Sequence, residues 1–158
     1  NEIDLRTVCT NVATHLAPLV VKEQRLIEVT GSQSPVVVRG NGDALEQAVR
    51  NLVENAVRYS DPGTTVTIEI RADATVRIID RGKGISRNIR EKVFQRFERA
   101  DQKGGGAGLG LAIVKRTMEA HEGTITIDDN PAGGAIFTMR FPADRRIPTP
   151  SLRLVHEA

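Results

Sequence analysis

The sequence predicts a two-layer α/β sandwich in which a mixed, mostly antiparallel sheet is covered on one face by three helices. Three observations lead there. Apolar residues recur at helical spacing at Leu45, Ala48, Val49, Leu52, Val53 and Ala56. They alternate with polar residues at Val66, Ile68 and Ile70, and again at Val76 and Ile78, which is the period of a half-buried strand. Helices and hairpin strands then follow one another in an order that lets the helices bury one sheet face.

The first helix is predicted over Leu5 to Lys22, with Val8, Val12, Leu16 and Leu19 on one face. Leu26 to Val29 and Val36 to Val38 read as short strands parted by the turn Gly31-Ser32-Gln33-Ser34-Pro35, and Gly40-Asn41-Gly42 breaks the chain again. Asp43 stands where the N-cap of the strongest helix is expected, and Asp61-Pro62-Gly63 ends that helix. The alternating strands form a hairpin that stops at Asp80-Arg81-Gly82-Lys83-Gly84. A short helix is predicted over Arg87 to Val93, then a polar, glycine-rich and mobile segment from Phe97 to Gly108. A buried helix from Leu109 to about His121 and two strands, Thr124 to Ile127 and Ala135 to Phe141, complete one domain over residues 1–142. The tail 143–158, with two prolines and few apolar residues, is expected to be loosely ordered.

A chain of 158 residues with 39% hydrophobic content buries one core rather than two. Its 22 Lys and Arg against 20 Asp and Glu are scattered, so no basic run marks nucleic acid as a partner. Cys9 is the single cysteine, which excludes an internal disulfide and fits a reducing cytoplasm. No stretch approaches the roughly 20 apolar residues that span a bilayer, and no signal pattern opens the chain, so the reading is a monomeric cytoplasmic domain without direct membrane contact. The chain begins at Asn1 rather than Met and reads as a piece of something longer.

Three constellations carry chemistry. Gln47, Asn51, Asn55 and Arg58 follow at intervals of four, four and three, lining one face of the strong helix with Tyr59 beside its end. Asparagine is a poor helix former, so two in register need a reason. A solvated face is one. The other is that an amide oxygen ligates a hard cation such as Mg²⁺ without adding charge, while an arginine one turn on suits a phosphate oxygen. Asp80 ends a strand and precedes Gly82 and Gly84. These are ordinary turn residues, yet a fixed carboxylate there can accept from an exocyclic amine, and glycines let a flat ring approach. Gly104 to Gly110 is glycine-rich and runs into the apolar helix Leu109-Gly110-Leu111-Ala112-Ile113-Val114, where free helical amides can bind phosphate; viewed alone, it is also a plausible linker. It has neither the Gly-Lys-Ser/Thr ending of the P-loop nor the preceding strand of the dinucleotide fingerprint.

The order of these features is more specific than any one of them. Asn51-Leu-Val-Glu-Asn55-Ala-Val-Arg58-Tyr59, Asp80-Arg-Gly82-Lys-Gly84-Ile85, Phe94-Gln-Arg-Phe97-Glu-Arg99 and Gly106-Ala-Gly108-Leu109-Gly110-Leu111 resemble the asparagine, first glycine, phenylalanine and second glycine boxes of sensor histidine kinases, across residues 3 to 142. The resemblance implies the Bergerat ATP-binding fold, with ATP and Mg²⁺ as ligands. It implies that Asn55 ligates Mg²⁺ with help from Asn51, and that Arg58 reaches the phosphates. Tyr59 would lie against adenine and Asp80 would bind its amino group, in a pocket shaped by Gly82, Gly84 and Ile85. Arg99 would touch the terminal phosphate when a lid over Arg99 to Gly108 closes, and Gly106, Gly108, Leu109 and Gly110 would cradle the phosphate chain; Lys103 reads as a solvated lid residue.

Departures from the family pattern are visible. Arg58 stands where Lys is common, Arg81 and Lys83 replace uncharged residues, and Glu122 interrupts the usual His-Gly-Gly. His15, His121 and His156 all lack the phosphoacceptor setting, so the resemblance places the phosphoacceptor and dimerisation helices N-terminal to Asn1. The implied partners are that phosphoacceptor domain of the same kinase and a downstream response regulator, and an anchor of the full protein in the bacterial inner membrane stays open. Two other classes share the fold: serine kinases of antagonist proteins and ATP-hydrolysing clamps. Both usually carry a glutamate base one turn before the magnesium asparagine, where this chain has Asn51. An amide accepts no proton at neutral pH, and Glu54 points about 100° away. A degenerate binding module is a third class, opposed by the full set of Mg-ATP residues.

Overall fold

A computed structural model describes residues 1–82 and 107–147. The elements run β1 (Glu2–Asp4), α1 (Leu5–Lys22), β2 (Leu26–Gly31), β3 (Val37–Arg39), α2 (Gly42–Tyr59), β4 (Thr65–Arg71), β5 (Thr75–Ile79), α3 (Ala107–Ala120), β6 (Thr124–Asp129), β7 (Ala135–Arg140) and, after a 3-10 turn at Ala143–Arg145, β8 (Arg146–Ile147). The larger sheet has the order β2-β4-β5-β7-β6, with β2 and β4 parallel and the other pairs antiparallel. The expected helix over Arg87 to Val93 and the glycine-rich segment as far as Gly106 lie outside the described residues, while Ala107 and Gly108 open α3.

Register explains the core. Ile68, Ile78, Phe137 and Ile127 are cross-strand partners in one row, and Ile70, Val76, Met139 and Ile125 in the next. Because side chains alternate, these rows share a face. Against it pack Leu45, Val49, Leu52 and Val53 of α2, Val12 and Val20 of α1, and Leu111, Val114 and Met118 of α3. Each such side chain contributes about 1.5–3 kcal/mol on leaving water. The opposite face is polar, with Arg77 and Arg71 both 2.9 Å from one Glu69 oxygen. Among the described residues, no helix is long and apolar enough to cross a membrane. Cys9 is fully buried in the core beside Asp4; burial first, then that charge, pushes its thiol up to about 12, so it is an inert core residue.

Three expectations are corrected, and one expected strand is assigned its sheet. The inward row of α1 is Leu5, Val8, Cys9, Val12, Leu16 and Val20, while Leu19 is 41% exposed: from Val12 the stripe advances by steps of four, and the next inward position after Leu16 is Val20. The N-cap of α2 is Asn41, whose Oδ1 accepts from the Ala44 N–H at 3.1 Å, and Asp43 falls in the first turn. The strand expected around Val36 to Val38 forms over Val37–Arg39 and belongs to a second, three-stranded sheet of order β1-β3-β8. Finally, residues 143–147 of the expected loose tail form a 3-10 turn and a short strand, with Ile147 paired to Val37 and Arg146 to Val38. Residues 148–158 lie outside the described part.

His121, just past α3, links the layers. Its Nδ1 faces the Thr117 carbonyl at 2.7 Å and its Nε2 the Asn41 N–H at 3.1 Å, so Nδ1 carries the hydrogen and Nε2 accepts. Glu122 follows with φ of 60°, a left-handed conformation usual for glycine, and Arg145 holds its carboxylate at 3.0 Å. The capping assignment is testable by urea denaturation. Asn41→Ala is expected to lower unfolding free energy by about 1 kcal/mol. Asp43→Ala, which loses only a first-turn charge at the positive helix end, is expected to cost distinctly less. Equal losses would return the cap to Asp43.

Candidate functional site

Strand parity places the carboxylate. Val76, Ile78 and Asp80 alternate, so Asp80 continues the helix-covered rows one step past β5, and it is only 1% exposed. Its Oδ1 accepts from the Ala135 N–H at 3.2 Å, its own N–H donates to the Ala135 carbonyl at 3.0 Å, and its carbonyl accepts from Asn130 Nδ2 at 2.9 Å. Burial pushes the Asp80 carboxyl up to about 6; the Ala135 N–H pulls against this, and the charge of Asp61 adds to the rise.

The polar stripe of α2 descends into the interior and comes out again. Gln47 is exposed, Asn51 half-buried, Asn55 buried and Arg58 exposed. Asn55 Nδ2 donates to the Asn51 carbonyl at 2.7 Å. Its Oδ1 is buried and finds no hydrogen-bond partner among the described residues. Asn51 Nδ2 reaches the Gly110 carbonyl at 3.4 Å, and a Cβ on Gly110 would already touch the Asn51 amide at 3.5 Å. Glu54 is exposed, off this face, as its position in the helical turn requires. Gly108, Leu109 and Gly110 lie in the first turn of α3, whose leading N–H groups have no helical acceptor.

The two groups are joined at the end of α2. Gly82 bridges Ser60, the Asp61 N–H donates to the Arg81 carbonyl at 2.7 Å, and half-buried Tyr59 lies just before them. A Cβ on Gly82 would stand 1.9 Å from the Tyr59 carbonyl oxygen. The glycine expected to admit a flat ring thus also admits the end of the helix. Gly84, Ile85, Arg99, Lys103 and Gly106 lie outside the described residues.

Sequence reasoning missed two groups. Arg25 caps the far end of α2, with Nε donating to Ser60 Oγ at 3.2 Å and a second guanidinium N–H to the Ser60 carbonyl. The turn from Asn130 to Gly134 wraps Asp80, where a Cβ on Gly134 would meet the Asp80 carbonyl oxygen at 2.3 Å. In sequence, Asn130-Pro131-Ala132-Gly133-Gly134 signals only a turn.

Residues 40–145 match the family model of histidine kinase-, DNA gyrase B- and HSP90-like ATPases. The chain is 41% identical over 117 residues to the probable sensor histidine kinase TcrY of Mycobacterium tuberculosis (strain ATCC 25618 / H37Rv), covering 70% of this chain and 24% of that protein. It is 42% identical over 125 residues to the sensor-like histidine kinase SenX3 of the same strain, covering 74% and 30%. It therefore spans less than a third of either relative. Its fold is similar to that of the solved mycobacterial sensor histidine kinase MprB, with a TM-score of 0.81 and 30% identity over 94% of this chain and 99% of that one.

The environment of Asp80 sets a pH signature. A carboxyl whose folded value lies near 6, above its ordinary 3.8, binds its proton more tightly in the folded state. Its contribution to stability is full below about pH 4 and is lost as pH rises through 6. Above that, burying the ionised group opposes folding by roughly 2–3 kcal/mol. Asp80→Asn is expected to be more stable than the parent at pH 8 and to approach it as pH falls towards 4. A difference independent of pH in denaturant unfolding would remove the carboxyl from this role.

Proposed function

Since this chain belongs to the histidine kinase-, DNA gyrase B- and HSP90-like ATPase family, as an ATP-binding domain of the sensor histidine kinase type, we propose that it supplies the catalytic step of a two-component sensor kinase. In this reading it holds Mg-ATP and presents the γ-phosphate to a histidine on a separate dimerisation domain, and a response regulator then takes the phosphoryl group. The observation that carries the reading is the amide pair of α2. Asn51 occupies the place of a base but is an amide turned to the Gly110 carbonyl, while Glu54 faces away into solvent. The site therefore positions a nucleotide for a nucleophile activated elsewhere. His121 is not that nucleophile, because it is buried and both of its ring nitrogens are engaged.

The chain's own groups divide the work. Asp80, ionised above pH 6, accepts from the adenine amino group, which guanine lacks at that position. Tyr59 lies against the ring, and Gly82, Gly84 and Ile85 bound the pocket. The first-turn amides around Gly108, Leu109 and Gly110, with Gly106, face the phosphates, and Arg58 and Arg99 reach their oxygens. The buried Oδ1 of Asn55, without a hydrogen-bond partner among the described residues, fits a hard cation, and with Asn51 it would hold Mg²⁺. That ion, when bound, supplies neutralisation of phosphate charge.

The test mixes this chain and Mg-ATP with a separate fragment carrying phosphoacceptor and dimerisation helices. Acid-labile phosphohistidine on the fragment is expected, and Asn55→Ala should abolish it while lowering ATP affinity about tenfold or more in magnesium and little in chelator. Turnover by the chain alone near the enzyme median of about 10 per second would instead favour the ATPase class. Labelling on serine would favour the antagonist-kinase class.

A further inference from the structure

The turn between β6 and β7 is built around one side chain. Asn130 Oδ1 accepts from the Ala132 N–H at 3.1 Å, its backbone N–H donates to the Gly134 carbonyl at 3.0 Å, and its carbonyl accepts from the Gly133 N–H at 2.8 Å. With these three groups engaged inside the turn, its Nδ2 donates outward to the Asp80 carbonyl at 2.9 Å, a contact between residues fifty positions apart. Gly133 and Gly134 have φ of 101° and 102°, conformations that a residue with a side chain rarely adopts. The consequence is a close approach. A Cβ at Gly134 would stand 2.6 Å from Asp80 Oδ1, and one at Gly133 would stand 3.9 Å from the Gly82 carbonyl oxygen. The turn thus lies against Asp80 and Gly82, two of the residues that the proposed function assigns to the base.

We propose that Asn130 is a positioning residue for adenine recognition: by clamping the Asp80 backbone to the β6–β7 turn, it fixes which carboxylate oxygen faces the ligand. The inference rests on the reading of Asp80 as the adenine acceptor. Asp80 Oδ1 is committed to the Ala135 N–H, the residue that closes the turn, so the ligand-facing role falls to Oδ2. Asn130 never touches the nucleotide. Its part is to hold the Asp80 peptide so that both the Ala135 bond and the direction of Oδ2 persist. Only an amide serves, because the acceptor end is needed by Ala132 and the donor end by Asp80. Aspartate keeps the first and lacks the second, and places negative charge beside a carbonyl oxygen.

Calorimetric titration of this chain with Mg-ATP, Mg-GTP and magnesium tripolyphosphate tests the clamp, using Asn130→Ala and the near-isosteric Asn130→Asp. Loss of one hydrogen bond at this position is expected to weaken ATP binding by up to about tenfold. The ATP-to-GTP preference should shrink in both variants while tripolyphosphate binding stays at the parent level, since the phosphates are held by α2 and α3. Retention of the parent's ATP affinity and base preference by Asn130→Asp would overturn the proposal. So would an equal fractional loss for ATP and tripolyphosphate, which marks a general structural role. A parent chain that fails to prefer ATP over GTP, or an Asp80→Asn variant that binds ATP as the parent does, would overturn the adenine role of Asp80 and the clamp with it. That outcome is told apart by being present before Asn130 is changed.

Discussion

The backbone of Gly82 lies so close to the carbonyl of Tyr59 that even a methyl group would stand 1.9 Å from its oxygen. That contact fixes the end of α2 against the end of β5. Around it, Ser60 bridges Gly82, Asp61 bonds Arg81, and Arg25 braces Ser60 from the other side. The helix with the two amides and the strand with the carboxylate consequently have one relative position. Proteins bind ligands precisely when the supporting shell is locked in this way. Since the approach is backbone to backbone, no side-chain adjustment can relieve a larger residue there.

The site is locally unfavourable to the fold. Asp80 is buried close to the charge of Asp61, and Asn55 keeps an oxygen without a partner among the described residues. A buried acceptor left in that condition costs about 1–3 kcal/mol. The apolar rows across β4, β5, β7 and β6 offset these terms, because they are packed without a polar interruption until the row reaches Asp80. Breaking the local rules at a binding site while obeying them elsewhere is how a stable domain keeps groups available for a ligand.

What could be read in advance depended on whether a feature is periodic. The inward face of α2 and the core rows of β4 and β5 follow periods of 3.6 and 2, so Leu52, Ile68 and Ile78 announce themselves, and the same counting reaches Asp80. β1, β3 and β8 have two or three residues each, too few to show alternation. Leu19 and Val20 are equally apolar neighbours, and only the cumulative phase of α1 separates them. Asn41 and Asp43 are both good caps, and the bond from Asn41 to His121, eighty residues away, is invisible locally. Asn130 illustrates the same limit, for its donor finds Asp80 only after β6 and β7 have paired. Arg99 and Ile85 came forward through family resemblance, and the described residues include neither of them, nor Gly84 or Gly106.

The small sheet has a topological consequence. β1 and β8 both pair antiparallel with β3, so they run parallel to one another on its two sides, with Asp4 and Ile147 both opposite Val37. Two strand spacings separate them, and Glu2 lies two residues further along, which puts Glu2 and Ile147 on the order of 12 Å apart. A short linker could therefore join these positions across one sheet face.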